Sequence, residues 1–234
     1  MPRGRESTRG GPVLVEPRWG LGDAIAAVVV AYSSAILLSS LVSDPNHLTL
    51  VEQSLLTLPL WICAIGVPVW ATTTKGNGPR IDLGLELRPF DVPVGLLIGG
   101  IAQIVIPWTY RLLLSEPTWR ELDAPARELG RDANSVGGKV LLVLTIVVVA
   151  PFAEELLYRG LVLRSLERRL SSFVALVVCS VVFAAMHFQP LQFAGLAVFG
   201  MVLGALVQRT GRLGPAIFAH IGFNAVAVAQ LHIW

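Results

Sequence analysis

Few side chains in this sequence can do acid–base chemistry in an apolar setting. The segment Ala150-Pro-Phe-Ala-Glu-Glu-Leu-Leu-Tyr-Arg-Gly160 carries Glu154, Glu155 and Arg159. His187 ends the stretch Phe183-Ala-Ala-Met-His, and Asn224 follows His220 four residues later. Glu155 and Arg159 share a helix face in the favourable order, so an ion pair there would neutralise both charges and act as a structural brace. Glu154 lies about 100° around the helix with no local cation. It needs water, a proton or a distant histidine, which makes it the candidate general base. Ionisable groups inside a membrane span are costly and mark functional sites. The plainer alternative is that both acids end a span at the headgroups; the apolar run Leu161 to Leu163 beyond Arg159 argues against it. His47 and His232 fall in a loop and at the terminus and are expected to take no part.

The elements that must position these groups follow from composition. The chain of 234 residues is 54% hydrophobic and 15% charged, with a net charge of +2. Soluble domains carry roughly 25% charged residues, so a soluble globule, a disordered chain and a disulfide scaffold are all excluded. A charge of +2 gives no footprint for nucleic acid. Runs free of Asp, Glu, Lys and Arg lie at 24–43, 53–74, 92–110, 140–153, 170–208 and 213–234. A spanning helix needs about 20 apolar residues. The run at 170–208 suffices for two crossings with a turn near Gln189-Pro190, and the run at 140–153 is short because Glu154 interrupts it. Reading that fourth helix as full length, with its acids inside it, predicts an all-α polytopic membrane bundle of about seven helices, within a range of six to eight.

Lys and Arg set the orientation. Alternate loops, beginning with the N-terminal segment, hold 13 of the 18 basic residues. This predicts a cell-membrane protein with a cytoplasmic N-terminus and an outside C-terminus. Residues 1–22 form a cytoplasmic segment and 23–234 a single membrane domain, its motif-bearing core at about 140–231. The N-terminal Arg residues lead into a run longer than a cleavable signal's apolar region, so a retained first span is expected. The loop between Arg111 and Lys139 is predicted to hold a short surface helix, with Trp108 and Trp119 as interfacial anchors. Cys63 and Cys179 sit in apolar runs and read as buried free thiols.

Depth can be checked as well. If the fourth helix runs to about Leu170 and turns back at Ser171-Ser172, Glu154 and His187 are equidistant from the turn and reach one level. They could then share a water, with the acid as base. His220 sits shallower than straight, equal helices would allow, unless tilt, a break at Pro190 or a projecting hairpin intervenes.

The three segments resemble the CAAX protease and bacteriocin-processing family of intramembrane endopeptidases, which includes the CAAX prenyl endopeptidase. Its motifs E-E-x-x-x-R, F-x-x-x-H and H-x-x-x-N (or D) are matched in order by Glu154-Glu155-Leu-Leu-Tyr-Arg159, Phe183-Ala-Ala-Met-His187 and His220-Ile-Gly-Phe-Asn224. The resemblance covers about 150–226 and leaves the first three spans without a motif. It implies a helical fold with a polar cavity in the membrane, toward the cytoplasmic side. Glu154 and His187 would activate water, while His220 and Asn224 would stabilise the oxyanion. It implies a peptide or protein substrate at the lipid bilayer, while the net charge of +2 speaks against a nucleic-acid partner. An older view of the family makes it a zinc enzyme, which here would use Glu154, His187 and His220. No H-E-x-x-H places two histidines on one helix face, so the cofactor-free glutamate reading is preferred. The alternative is a non-enzymatic membrane protein, a transporter or an immunity or regulatory factor, using the same polar cluster. Oligomeric state and substrate identity are not encoded in any motif.

Overall fold

The computed structural model describes residues 14–42, 48–119, 121–122 and 135–231. Seven apolar helices appear among them: α1 Leu21–Ser40, α2 Leu50–Lys75, α3 Asp91–Leu113, α4 Val136–Glu167, α5 Ser172–Ala185, α6 Phe193–Thr210 and α7 Gly214–Gln230. Five, α1 to α4 and α6, are long and apolar enough to cross a membrane. At 14 residues, α5 rises only about 21 Å. It stops there because residues 186–192 leave the helix, with Phe188 at φ +54°. No strand occurs among the described residues. The chain is therefore a polytopic helical bundle, as its charge-free runs predict.

Local chemistry sets the helix ends. Thr49 and Glu52 close a capping box at the start of α2. Ser135 accepts from the Gly138 N–H to start α4, and Ser171 accepts from the Val174 N–H to start α5. The predicted reversal at Ser171-Ser172 is thus an N-cap. Gly211, at φ +70°, ends α6 in a conformation that costs glycine little. His47, His232 and, in the 111–139 loop, residues 120 and 123–134 lie outside the described residues; residues 116–119 are helical. Both cysteines are free thiols, Cys179 buried and Cys63 half-buried.

The bundle is built around α4. Every residue from Glu155 to Leu163 is buried, whereas the other long helices turn apolar side chains such as Leu37, Ile62 and Leu97 outward. Apolar exteriors suit a lipid solvent. Two stretches of α4, Val143–Val149 and Glu155–Leu163, are π-helical and flank the α-helical turn Ala150–Glu154. Wider π turns of this kind are frequently found at functional positions.

The α3–α7 crossing is backbone against backbone. A Cβ on Gly99 would lie 1.7 Å from the Ala219 carbonyl oxygen, and one on Gly222 would lie 2.6 Å from that of Leu96. Small residues allow this approach, and in lipid such packing supplies much of the association energy. Gly99→Ala is therefore expected to destabilise the fold by about 1–3 kcal/mol, because a carbonyl on a packed helix cannot move aside. A lower melting temperature in detergent checks this; an unchanged one would mean that the helices do not cross so closely.

The Arg-rich end is tied by side chains from distant segments. Arg168 donates to the Trp19 carbonyl and lies 3.8 Å from the Trp19 ring centroid. The Trp19 indole donates to Asp82, Arg164 donates to the Gly211 carbonyl, and Arg212 forks onto Asp91. The N-terminal segment, the α2–α3 link, the end of α4 and the α6–α7 link thus meet at one end of the bundle.

Candidate active site

The α-helical turn between the two π stretches ends in Glu154 and is followed directly by Glu155. Their side chains enter different surroundings. Glu155 Oε1 accepts from Arg159 Nη1 at 3.1 Å and from His220 Nδ1 at 2.8 Å. Arg159 also donates from Nη2 to the Gly200 carbonyl at 3.1 Å, and its guanidinium lies 4.3 Å from the Phe183 ring centroid. Glu155 and Arg159 are both 0% exposed. Both donors meet Oε1 and offset the charge of the buried carboxylate, while Glu155 Oε2 has no hydrogen-bond partner. One of these donors is the predicted intrahelical partner; the other, a histidine from α7, is not visible in helix spacing.

Glu154 has no such compensation. Its Oε2 is buried and without a hydrogen-bond partner. The nearest nitrogens are His220 Nε2 at 3.8 Å and His187 Nε2 at 3.9 Å. Both separations exceed a direct hydrogen bond. The structure thus places Glu154 and His187 at one level across the α4–α5 hairpin, and brings His220 to the same point.

His187 lies just past the end of α5, where its Nδ1–H donates to the Phe183 carbonyl at 2.7 Å. That bond fixes the tautomer and leaves the Nε2 lone pair facing Glu154. His220 is buried, with its ring edge-on to Phe183 at 5.9 Å and to Phe199 at 5.4 Å. Its depth is reconciled with that of Glu154 by the shortness of α5 and the turn at 186–192, which replace the straight, equal helices of the simple count. Asn224, one turn beyond His220, donates from Nδ2 to the Ile146 carbonyl at 2.8 Å. One amide hydrogen of Asn224 remains for another acceptor.

Two tyrosines that helix spacing does not single out stand beside these groups. Tyr158, one turn after Glu154, is fully buried, and its hydroxyl lies 2.8 Å from that of Tyr32 on α1. The Tyr32 ring meets Phe188, the neighbour of His187, at 6.2 Å. The only sequence signal for Tyr32 is a polar tip within an apolar run.

A cavity of about 690 Å³ lies between α3, α6 and α7, lined by Trp108, Tyr110, Leu196 and Phe223 among others. Phe223 stacks on Phe199 at 3.9 Å, and Phe199 abuts His220, so an aromatic pair separates this cavity from the carboxylates.

Chemically, the cluster offers an uncompensated carboxylate, an imidazole lone pair and a second imidazole whose far nitrogen is held by a carboxylate. Among the described residues, no group of three or more His, Cys, Asp or Glu side chains is arranged to hold a metal ion.

Residues 136–226, from the start of α4 to the middle of α7, match a family model described as "Type II CAAX prenyl endopeptidase Rce1-like". The chain is also 28% identical over 92 residues to a Bacillus subtilis (strain 168) protein named "Putative membrane peptidase YdiL". That match covers 39% of this chain and 38% of the relative. No solved structure matches the chain.

Proposed function

We propose that the chain is an intramembrane endopeptidase of the CAAX protease and bacteriocin-processing family using glutamate-activated water, a reading supported by the match of residues 136–226 to the Rce1-like endopeptidase model. The observation that carries this reading is the Glu154 Oε2 atom, buried, without a hydrogen-bond partner and within 4 Å of two imidazole nitrogens. One water bridges gaps of that width. It would donate one hydrogen to Glu154 Oε2 and the other to His187 Nε2, directing its lone pair at a carbonyl carbon. Glu154 takes a proton as the C–O bond forms. The oxyanion is stabilised by the free amide hydrogen of Asn224 and by His220, whose ring Glu155 orients. Glu154 then returns its proton to the amide nitrogen as the C–N bond breaks, which balances the hydrolysis.

In this reading Glu155 and Arg159 are more than a brace. The carboxylate that Arg159 compensates also holds the His220 ring in orientation. The substrate is a peptide or protein at the bilayer, with or without a lipid attached. The Arg-rich end faces the cytoplasm, the N-terminus lies on that side and the C-terminus outside.

The test is cleavage by the full chain in liposomes, on peptides made with and without a prenyl group. Cleavage is expected, at a rate unchanged after exhaustive chelation, because no step needs a metal. Activity lost on chelation and restored by zinc would replace the water-activating carboxylate with a metal site. Absence of cleavage, together with a cellular phenotype that survives Glu154→Ala, would favour a non-enzymatic transporter or regulatory role.

A further inference from the structure

The Tyr32–Tyr158 hydroxyl pair has more protons than its one bond uses. Each hydroxyl carries a single hydrogen, and the two oxygens are 2.8 Å apart. Tyr158 is 0% exposed and its hydroxyl has no other hydrogen-bond partner among the described residues. Its hydrogen therefore occupies the shared bond, since a buried hydroxyl left unbonded is costly. Tyr32 accepts, and its own O–H is free to point elsewhere. Tyr32 is half-buried, its ring meets Phe188 beside His187, and its partner Tyr158 stands one helical turn from Glu154. A donor thus stands at the edge of the water-activating pair, supplied by α1, which has no recognised motif.

We propose that Tyr32 is a substrate-binding residue, donating its hydroxyl hydrogen to a backbone carbonyl of the bound peptide, and that Tyr158 is the positioning residue that holds it. A peptide backbone offers carbonyl oxygens as its acceptors. The carbonyl taken by Tyr32 is a neighbour of the scissile one, because the oxyanion donors His220 and Asn224 come from α7. That helix packs on α3, on α6 and on the 143–149 stretch of α4, whereas α1 packs on α2 and on the 155–163 stretch of α4. The peptide would lie between these two flanks, held on one side for orientation and polarised on the other for reaction. This proposal rests on the endopeptidase reading.

The test compares wild type, Tyr32→Phe and Tyr158→Phe in liposomes on the peptides that wild type cleaves. It also measures binding of a fluorescein-labelled farnesylated peptide to each variant in a Glu154→Gln background. Tyr32→Phe is expected to raise KM and Kd about tenfold, the loss of one hydrogen bond, with kcat changed less than twofold and the melting temperature unchanged. Tyr158→Phe is expected to move KM and Kd in the same direction by a smaller factor. Unaltered KM and Kd in Tyr32→Phe, or a rise that appears only with a fall in melting temperature, would overturn the proposal. If wild type binds the peptide but cleaves nothing, the endopeptidase reading falls, and the Kd comparison alone decides the role of Tyr32.

Discussion

Glu154→Gln is expected to lower kcat on a cleaved peptide by about 10³-fold, within the range that general-base catalysis contributes. The substitution keeps the shape of the side chain and removes only the basicity. Since Glu154 Oε2 makes no hydrogen bond within the protein, the fold loses nothing it uses, and the melting temperature in detergent is expected to hold or rise slightly. Folded variant and wild-type enzyme, reconstituted at equal density and compared in initial rate, check this. Retained turnover would show that the water is activated elsewhere. The same assay on His187→Ala should show a smaller loss if, as proposed, that imidazole orients the water without taking its proton.

Much of this arrangement is legible in the sequence. Scarcity of charge makes each intramembrane ion conspicuous, so Glu154, Glu155, Arg159, His187 and His220 stand out by residue type and position alone. The depth match of Glu154 with His187 follows from counting residues about a turn, because α4 and α5 are adjacent and antiparallel. What the sequence does not reveal is lateral. The bond between Glu155 and His220 joins residues 65 apart, on helices whose rotation about their own axes no local pattern fixes. The Tyr32–Tyr158 bond spans 126 residues, and the buried face of α1 is marked only by the small residues Ala24, Ala27 and Ala31, which do not point to a partner. The depth of His220 resists counting for a different reason. The count needs full-length helices, and α5 stops at Ala185 so that His187 can turn inward.

Arg159→Ala is expected to be the most damaging single substitution to the fold, costing about 3–5 kcal/mol, the consequence of stranding one partner of a buried ion pair. It removes the guanidinium that compensates Glu155, the bond to the Gly200 carbonyl and the contact with the Phe183 ring. Most of the expressed protein should appear as aggregate in size-exclusion chromatography. The double variant Glu155→Gln/Arg159→Met leaves no unpaired charge and is expected to recover much of the folded yield. It should not recover turnover, because His220 has lost its carboxylate. A double variant as active as wild type would reduce the pair to scaffolding, and an Arg159→Ala protein that folds normally would show that the charge at Glu155 is not buried in the working enzyme.

The two π stretches of α4 bear on how such chains can diverge. Each wider turn advances the helix by a different rotation from an ordinary one, so the stretch 155–163 sets the angular phase between the two carboxylates and everything toward Glu167. Residue identity does not record that phase. A homologue could keep every motif letter yet, shortened by one residue between Arg159 and Leu163, present its α5 hairpin to a different side of the bundle. In this fold helix length is inherited information, on a par with the identities of the glutamates and histidines, and a gap of one residue inside α4 is a larger change than many substitutions.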